Sequence, residues 1–385
     1  MTSTLTLPDR QVVDVIIIGA GVAGLVCASV LISANPALRV QVLEAADRAG
    51  GQVTTTVTHG YTFEHGPTSM MWNPGVGELI DRLALTDRVV HADGVARGTH
   101  LWSEGSLHAL PRRPLDAVRS GLLSWPAKAR FLAEPLVGRR PGAAGETVAS
   151  FAARRFGISA ATVIAGAAVA GVTGGDAAAL EFQSVFPRLW ALDRAAGRRS
   201  LLIEVLRRRR SAPSGPAVRG PITLRDGGLS VLTESLAAAI GPSLRLNSTA
   251  RAIETDGDGY RVTLTTGQQI TSRQVVVAVP AQRAAGLLEP LSPSTASVLR
   301  SIRSCDMRVL GLGLSNDAVV GEWPGFGFLS APGQGLNIIG ATISSRAFPG
   351  QAPSGRVLLR AFAGGDFQPD ANGTEHRRNN RPGHG

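Results

Sequence analysis

The chain has 385 residues, 44% of them hydrophobic, enough apolar material for a large core shared among two or three subdomains. Lysine and arginine number 39 against 29 acids, a formal charge of +10. With no nucleic-acid-binding motif beside it, that excess points to an anionic membrane surface or a generally basic proteome, not to nucleic acid. Two cysteines, Cys27 and Cys305, exclude a disulfide framework and lack metal-ligand spacing.

Met1 to Arg10 has neither the charged start nor the apolar core of a secretory signal. The most apolar run, Ala160 to Val172, is too short to span a bilayer. The expectation is a cytoplasmic protein, with peripheral contact at the inner membrane face left open. Val12 to Ile18 reads as a strand, Gly19-Ala20-Gly21-Val22-Ala23-Gly24 as a glycine turn, and the residues to Ala34 as an apolar helix. Arg39 to Leu43 is a second strand, ending at Glu44 and Ala45. Each part meets a need of a dinucleotide. Gly19 permits a tight turn, Gly21 lets backbone approach a pyrophosphate, and Gly24 lets helix and sheet pack closely. The helix N-terminus offers free N–H groups to phosphates, and Glu44 is placed to accept from a ribose diol. A glycine fingerprint alone also serves as a plain connection; strand, helix and acid in place together make the dinucleotide the better reading.

Arg48-Ala49-Gly50-Gly51-Gln52 follows at once. Adjacent glycines let a loop pass over a pyrophosphate, and an arginine adds charge-assisted hydrogen bonds to it. This second glycine pair resembles that of the flavoprotein amine oxidase and porphyrinogen oxidase superfamily, which implies FAD as the cofactor. Val53 to Thr58 and Tyr61 to Glu64 then form a hairpin turning at His59-Gly60. Gly66-Pro67-Thr68-Ser69 stops the strand and exposes amides that could lie along a flavin. Val76 to Leu85 has helical periodicity, and Leu101 to Leu110 reads as another hairpin.

From here the resemblance narrows to the protoporphyrinogen and coproporphyrinogen oxidases. It is carried by Leu101-Trp102 through Leu110-Pro111, Gly145-Glu146-Thr147 to Gly157, and Ala170-Gly171-Val172 to Asp176 with Phe186-Pro187. Gly227-Gly228-Leu229 through Leu236, Gly325-Phe326-Gly327-Phe328-Leu329 with Phe348-Pro349-Gly350, and Arg356 to Arg360 with Gly364-Gly365 agree with it. The resemblance implies an α/β fold: an FAD-binding Rossmann-like (GR2-type) domain, an α+β substrate domain and an inserted helical membrane-associated subdomain. The expected boundaries are 10–110 and 221–285 for the FAD domain, 111–220 for the helical insert and linker, 286–365 for the substrate segment and 366–385 for a tail. Residues 112–210 read as mainly helical, Arg207 to Arg210 as a solvated helix end with a lipid-binding patch as the alternative, and Ser211 to Pro221 as a linker. Beyond it, a helix Leu229 to Ile240 precedes short strands at Leu244 to Asn247, Arg251 to Glu254, Tyr260 to Thr265 and Gln274 to Val279.

The activity implied is FAD-dependent oxidation of a porphyrinogen with molecular oxygen as acceptor. Protoporphyrinogen is the first substrate, coproporphyrinogen the alternative, another amine-oxidase-like reaction or an inactive remnant the rivals, and a homodimer is allowed. The chemistry belongs to the cofactor, so no catalytic side chain and no metal site is expected. By resemblance Ala250 gives a backbone contact to adenine where the family has valine, and Phe326 and Phe328 are candidates for the substrate cavity wall. The position of Thr99 carries, in some relatives, an arginine that pairs with a substrate propionate. Threonine cannot supply that charge, for which His100 and Arg97 are candidate substitutes. The polar run after Gly365 lacks the family's closing flavin motif, so the chain is expected to be truncated and its tail disordered.

Overall fold

The computed structural model describes residues 12–92, 99–110, 116, 119–136, 143–196, 200–211, 220–319, 326–330 and 333–366. Most of the expected linker and all but the first residue of the expected tail lie outside them, as does Arg97. Two compact units result: Met1–His91 with Arg219–Ser304, and Ala92–Val218 with Cys305–Gly385.

The first unit is built on a six-stranded sheet in the order Leu244–Arg245, Val40–Leu43, Val12–Ile18, Gln269–Val277, Gly259–Leu264, Ala250–Asp256. The first four strands run parallel and the last two antiparallel. Val12–Ile18 is apolar almost throughout because it is covered on both faces. Val15 and Ile17 enter one core with Leu25, Ala28 and Leu236, whereas Ile16 and Ile18 enter a second with Val262 and Leu264. The helix Val22–Ala34 crosses from the first strand to Val40–Leu43, as parallel pairing requires.

Two sequence-distant parts meet in this unit. Pro221–Leu224 pairs between Met70–Met71 and Val89–His91, closing a three-stranded sheet across the long excursion. Glu64, fully buried, makes the second tie. Its Oε1 accepts the Leu229 N–H at 2.7 Å and its Oε2 accepts the Thr55 hydroxyl at 2.7 Å. The Thr55 hydroxyl accepts the Ser230 N–H, and the Ser230 hydroxyl accepts the Thr55 N–H. A carboxylate thus satisfies the opening of the helix Ser230–Ile240, where orphan donors and the helix dipole both favour an anion. Gly228, at φ +64°, leaves it room: a Cβ there would stand 2.2 Å from Oε1.

The second unit carries a six-stranded sheet ordered Met307–Ser315, Arg356–Gly364, Gly340–Ile343, Gly327–Ser330, Thr99–Ser103, Ser106–Ala109. The hairpin of the last two strands, read from the sequence as part of the dinucleotide-binding portion ending at 110, joins this sheet instead. Thr99–Ser103 pairs in parallel with Gly327–Ser330, a long-range register that hairpin periodicity does not reveal. The helical segment likewise clusters with this sheet in one unit. Leu101 and Leu329 pack with Ala160 and Ala167, so one face of the sheet carries the helices.

Within the helices, Arg155 lies in a buried network. Its Nε donates to Asp193 Oδ1 at 2.6 Å and its Nη1 reaches Glu134 Oε1 at 3.5 Å, while Glu134 also accepts the Leu201 N–H at 3.0 Å. Arg154 bridges Glu146 and Asp193 at 2.7 and 3.2 Å. Glu204 is held at about 2 by hydrogen bonds from Arg207 and Arg208, which places the first half of the four-arginine run in helix-end ion pairs.

Substitutions at three positions test this reading by denaturant unfolding. Glu64→Ala strands helix-start donors in the core and is expected to cost about 2–4 kcal/mol, with Glu64→Gln milder. Arg155→Ala leaves Asp193 and Glu134 buried without their cation and is expected to cost about 3–5 kcal/mol. Arg207→Ala, at an exposed pair screened by solvent, should leave the unfolding midpoint close to wild type.

Candidate dinucleotide site

A cleft of about 970 Å³ opens at the carboxyl ends of the parallel strands of the first unit, where ligands bind in open α/β sheets. The glycines build its floor. Gly19 adopts φ +104° and donates its N–H to Leu43 O at 2.8 Å. The helix that follows sits so close that a Cβ on Gly24 would lie 1.9 Å from the carbonyl oxygen of Gly19. Gly21 forms a bridge to Gly50, whose N–H donates to Ala20 O at 2.8 Å. A Cβ on Gly51, at φ +57°, would come within 3.1 Å of the Gly21 Cα. The two glycine motifs are therefore stacked backbone on backbone. Gly21 faces open space, with nothing within 4 Å of where its Cβ would stand, and it lines the cleft.

The Glu44 carboxylate accepts the Ala20 N–H at 2.7 Å and the Ala46 N–H at 2.9 Å. Those bonds fix the acid at the mouth of the turn and leave lone pairs for a ribose diol. Ala45, Gln52, Val22, Ala23 and Ala250 also line the cleft. Gly66 packs behind Gln52, where a Cβ would meet Gln52 O at 2.0 Å; Gly66 to Ser69 do not line it.

Arg48 departs from the expectation most clearly. Its guanidinium donates to the carbonyls of Ala49, Gly51 and Val53 at 3.2, 2.9 and 3.3 Å, and the residue does not line the cleft. It acts here as a clasp on its own loop. The cleft instead carries Arg251 and Arg283, together with Ser248, Val279 and Pro280. The signal available in the sequence was the strand ended by Pro280, whose position beside Val12–Ile18 puts its carboxyl end at the same edge.

In the second unit, Thr99 pairs with Gly327 and His100 with Phe328, so the proposed substrate residues Thr99 and Phe328 fall on adjacent strands. Phe326 precedes that strand and its ring meets Phe348 edge to face at 6.1 Å. Burial holds the His100 imidazole below its ordinary range, so it is uncharged at neutral pH. It does not replace the missing arginine.

Among the described residues no group of three or more His, Cys, Asp or Glu could hold a metal. No helix there is long and apolar enough to cross a membrane. The parallel sheet, stacked glycine turns and poised acid define a dinucleotide-binding oxidoreductase of mixed α/β fold. The chain belongs to the flavin containing amine oxidoreductase family, whose model matches residues 22–375, and is an FAD-dependent enzyme. It is 31% identical over 379 residues to the chloroplastic protoporphyrinogen oxidase of Nicotiana tabacum, covering 93% of this chain and 68% of that one. It is 26% identical to the coproporphyrinogen III oxidase of Bacillus subtilis (strain 168), covering 91% and 77%. A candidate protoporphyrinogen oxidase from Exiguobacterium sp. 255-15 shares the fold, with a TM-score of 0.77 at 21% identity over 92% of this chain and 78% of that one.

The cleft fits FAD where it can be tested. Gly21 is bare, the first turn of Val22–Ala34 presents amides, and Glu44 is already oriented. Gly24→Ala is expected to force the helix off the turn, with loss of FAD binding by equilibrium dialysis and a lowered melting temperature. Gly21→Ala, with free space around it, should keep the wild-type melting temperature and lose flavin affinity.

Proposed function

We propose that this protein oxidises a porphyrinogen using FAD and molecular oxygen, protoporphyrinogen being the preferred substrate, in tetrapyrrole synthesis. The reading rests on one observation above the rest. The 31% identity to a protoporphyrinogen oxidase extends over 93% of the chain, so it takes in both units and not the dinucleotide cleft alone. In this reading Gly19 to Gly24, Glu44, Ala45, Arg48, Gly50 to Gln52, Gly66 to Ser69 and Ala250 surround the cofactor, Arg48 and Gly66 to Ser69 by supporting the lining loop. When bound, FAD supplies the hydride acceptor. The chain's own residues bind and orient: Phe326 and Phe328 offer aromatic surface to a flat macrocycle, and Thr99 a neutral hydroxyl beside them.

Coproporphyrinogen is the second reading, supported by the match to a coproporphyrinogen III oxidase over 77% of that enzyme's length. A cytoplasmic location with peripheral membrane contact completes the proposal. Trp125, Leu136 and Ile158 are 78, 88 and 78% exposed, and Lys128 lies 4.7 Å over the Trp125 ring, an apolar and cationic combination suited to an anionic lipid interface.

The test is the visible spectrum of the purified chain followed by fluorescence assays with both porphyrinogens. Bound flavin near one per polypeptide, with faster porphyrin formation from protoporphyrinogen, is expected. A chain that stays colourless after added FAD, or that oxidises amines and neither porphyrinogen, overturns the proposal. For the membrane contact, co-sedimentation with anionic vesicles should fall several-fold in Trp125→Ser.

A further inference from the structure

The charge balance of the dinucleotide cleft leads beyond the expected cofactor contacts, and the inference rests on the FAD reading. A diphosphate brings negative charge into a cleft whose one lining acid is Glu44. The arginine expected to meet that charge, Arg48, spends its guanidinium on three carbonyls of its own loop and is absent from the lining. Two other arginines line the cleft, Arg251 and Arg283.

Their places differ. Arg251 follows Ala250 at the start of an antiparallel strand on the far side of the sheet from Val40–Leu43. Arg283 lies in the first turn of the helix Ala281–Leu288, whose approach is fixed against the glycine turn: a Cβ on Gly19 would meet Ala278 O at 2.7 Å and Val279 Cγ1 at 2.8 Å. Arg283 stands one turn beyond that contact and lines the same cleft as Gly21, over which phosphates would be seated. One turn further, Gly286 also lines the cleft, and nothing lies within 4 Å of where its Cβ would stand. The helix therefore presents a guanidinium and then bare backbone, a cation followed by a flat space.

We propose that Arg283 pairs with the 5′-diphosphate of the cofactor and that Gly286 leaves the room its adenosine occupies, Arg48 serving only to clasp the loop. Both are positions that a glycine-fingerprint reading passes over. Leucine at Gly286 improves helix propensity, so its effect on a ligand is not a folding effect.

Isothermal titration with adenosine, AMP and ADP as probes separates the roles without any need for turnover. Arg283→Gln is expected to weaken ADP about tenfold, the range of one charge-assisted hydrogen bond, to flatten the salt dependence of ADP binding and to leave adenosine unchanged. Gly286→Leu should weaken all three probes at an undiminished melting temperature. Arg48→Gln should lower the melting temperature and keep the wild-type ratio of ADP to adenosine affinity. Wild-type ADP affinity and salt dependence in Arg283→Gln overturn the inference and leave the FAD reading standing, as does a selective loss of ADP in Arg48→Gln. A wild-type chain that binds neither ADP nor FAD overturns both.

Discussion

A missing side chain at Gly24 is the constraint on which the dinucleotide site depends. The helix Val22–Ala34 lies against the carbonyl of Gly19 so closely that any β-carbon would collide, at 1.9 Å, with that oxygen. From this contact follow the direction of the helix, the aim of its first amides and the seating of the second glycine pair on Gly21. Glu44 reinforces the geometry by holding the Ala20 N–H, so a ligand meets a turn whose shape is already set. Preorganisation of this kind places the ordering cost in folding and not in binding.

Buried charge divides the two units by purpose. In the first, Glu64 joins Thr55 to the start of a helix 165 residues away and is satisfied by short neutral donors. In the second, Arg155 and Arg154 are enclosed by Glu134, Glu146 and Asp193, with Ser200 donating its hydroxyl to Glu134. Such a network adds little net stability compared with an apolar core, yet losing one member strands the rest. It adds a directional constraint to helices that otherwise meet through apolar side chains such as Phe151, Phe182 and Leu201.

Function follows from what each unit can supply. The first offers a cleft with a poised acid, amides and arginines. The second offers a sheet on which Thr99, His100 and Phe328 are neighbours. Thr99 is neutral and burial holds the His100 imidazole below its ordinary range, so neither brings the positive charge of an arginine to this part of the sheet.

The glycine turns, the helix Val22–Ala34, the hairpin at His59 and the acid at Glu44 were legible in the sequence. Their requirements are local: a positive φ, a period of helix or strand, an N–H count over a few residues. Four features were not legible. These are the burial of Glu64, the inward turn of Arg48, the place of the Thr99–Ser103 strand in the second unit's sheet, and the presence of Arg283 at the cleft. Arg48 turns onto carbonyls within five residues of itself, a choice among side-chain directions that composition does not reveal. The other three are set by pairing across a long stretch of chain, as when Gln269–Val277 docks beside Val12–Ile18 and carries its following helix to the cleft. Sequence alone determined which residues could make a dinucleotide turn, because backbone sterics act between neighbours. Only the tertiary structure decided which charges face the ligand, because a side chain's direction depends on the surface packed against it.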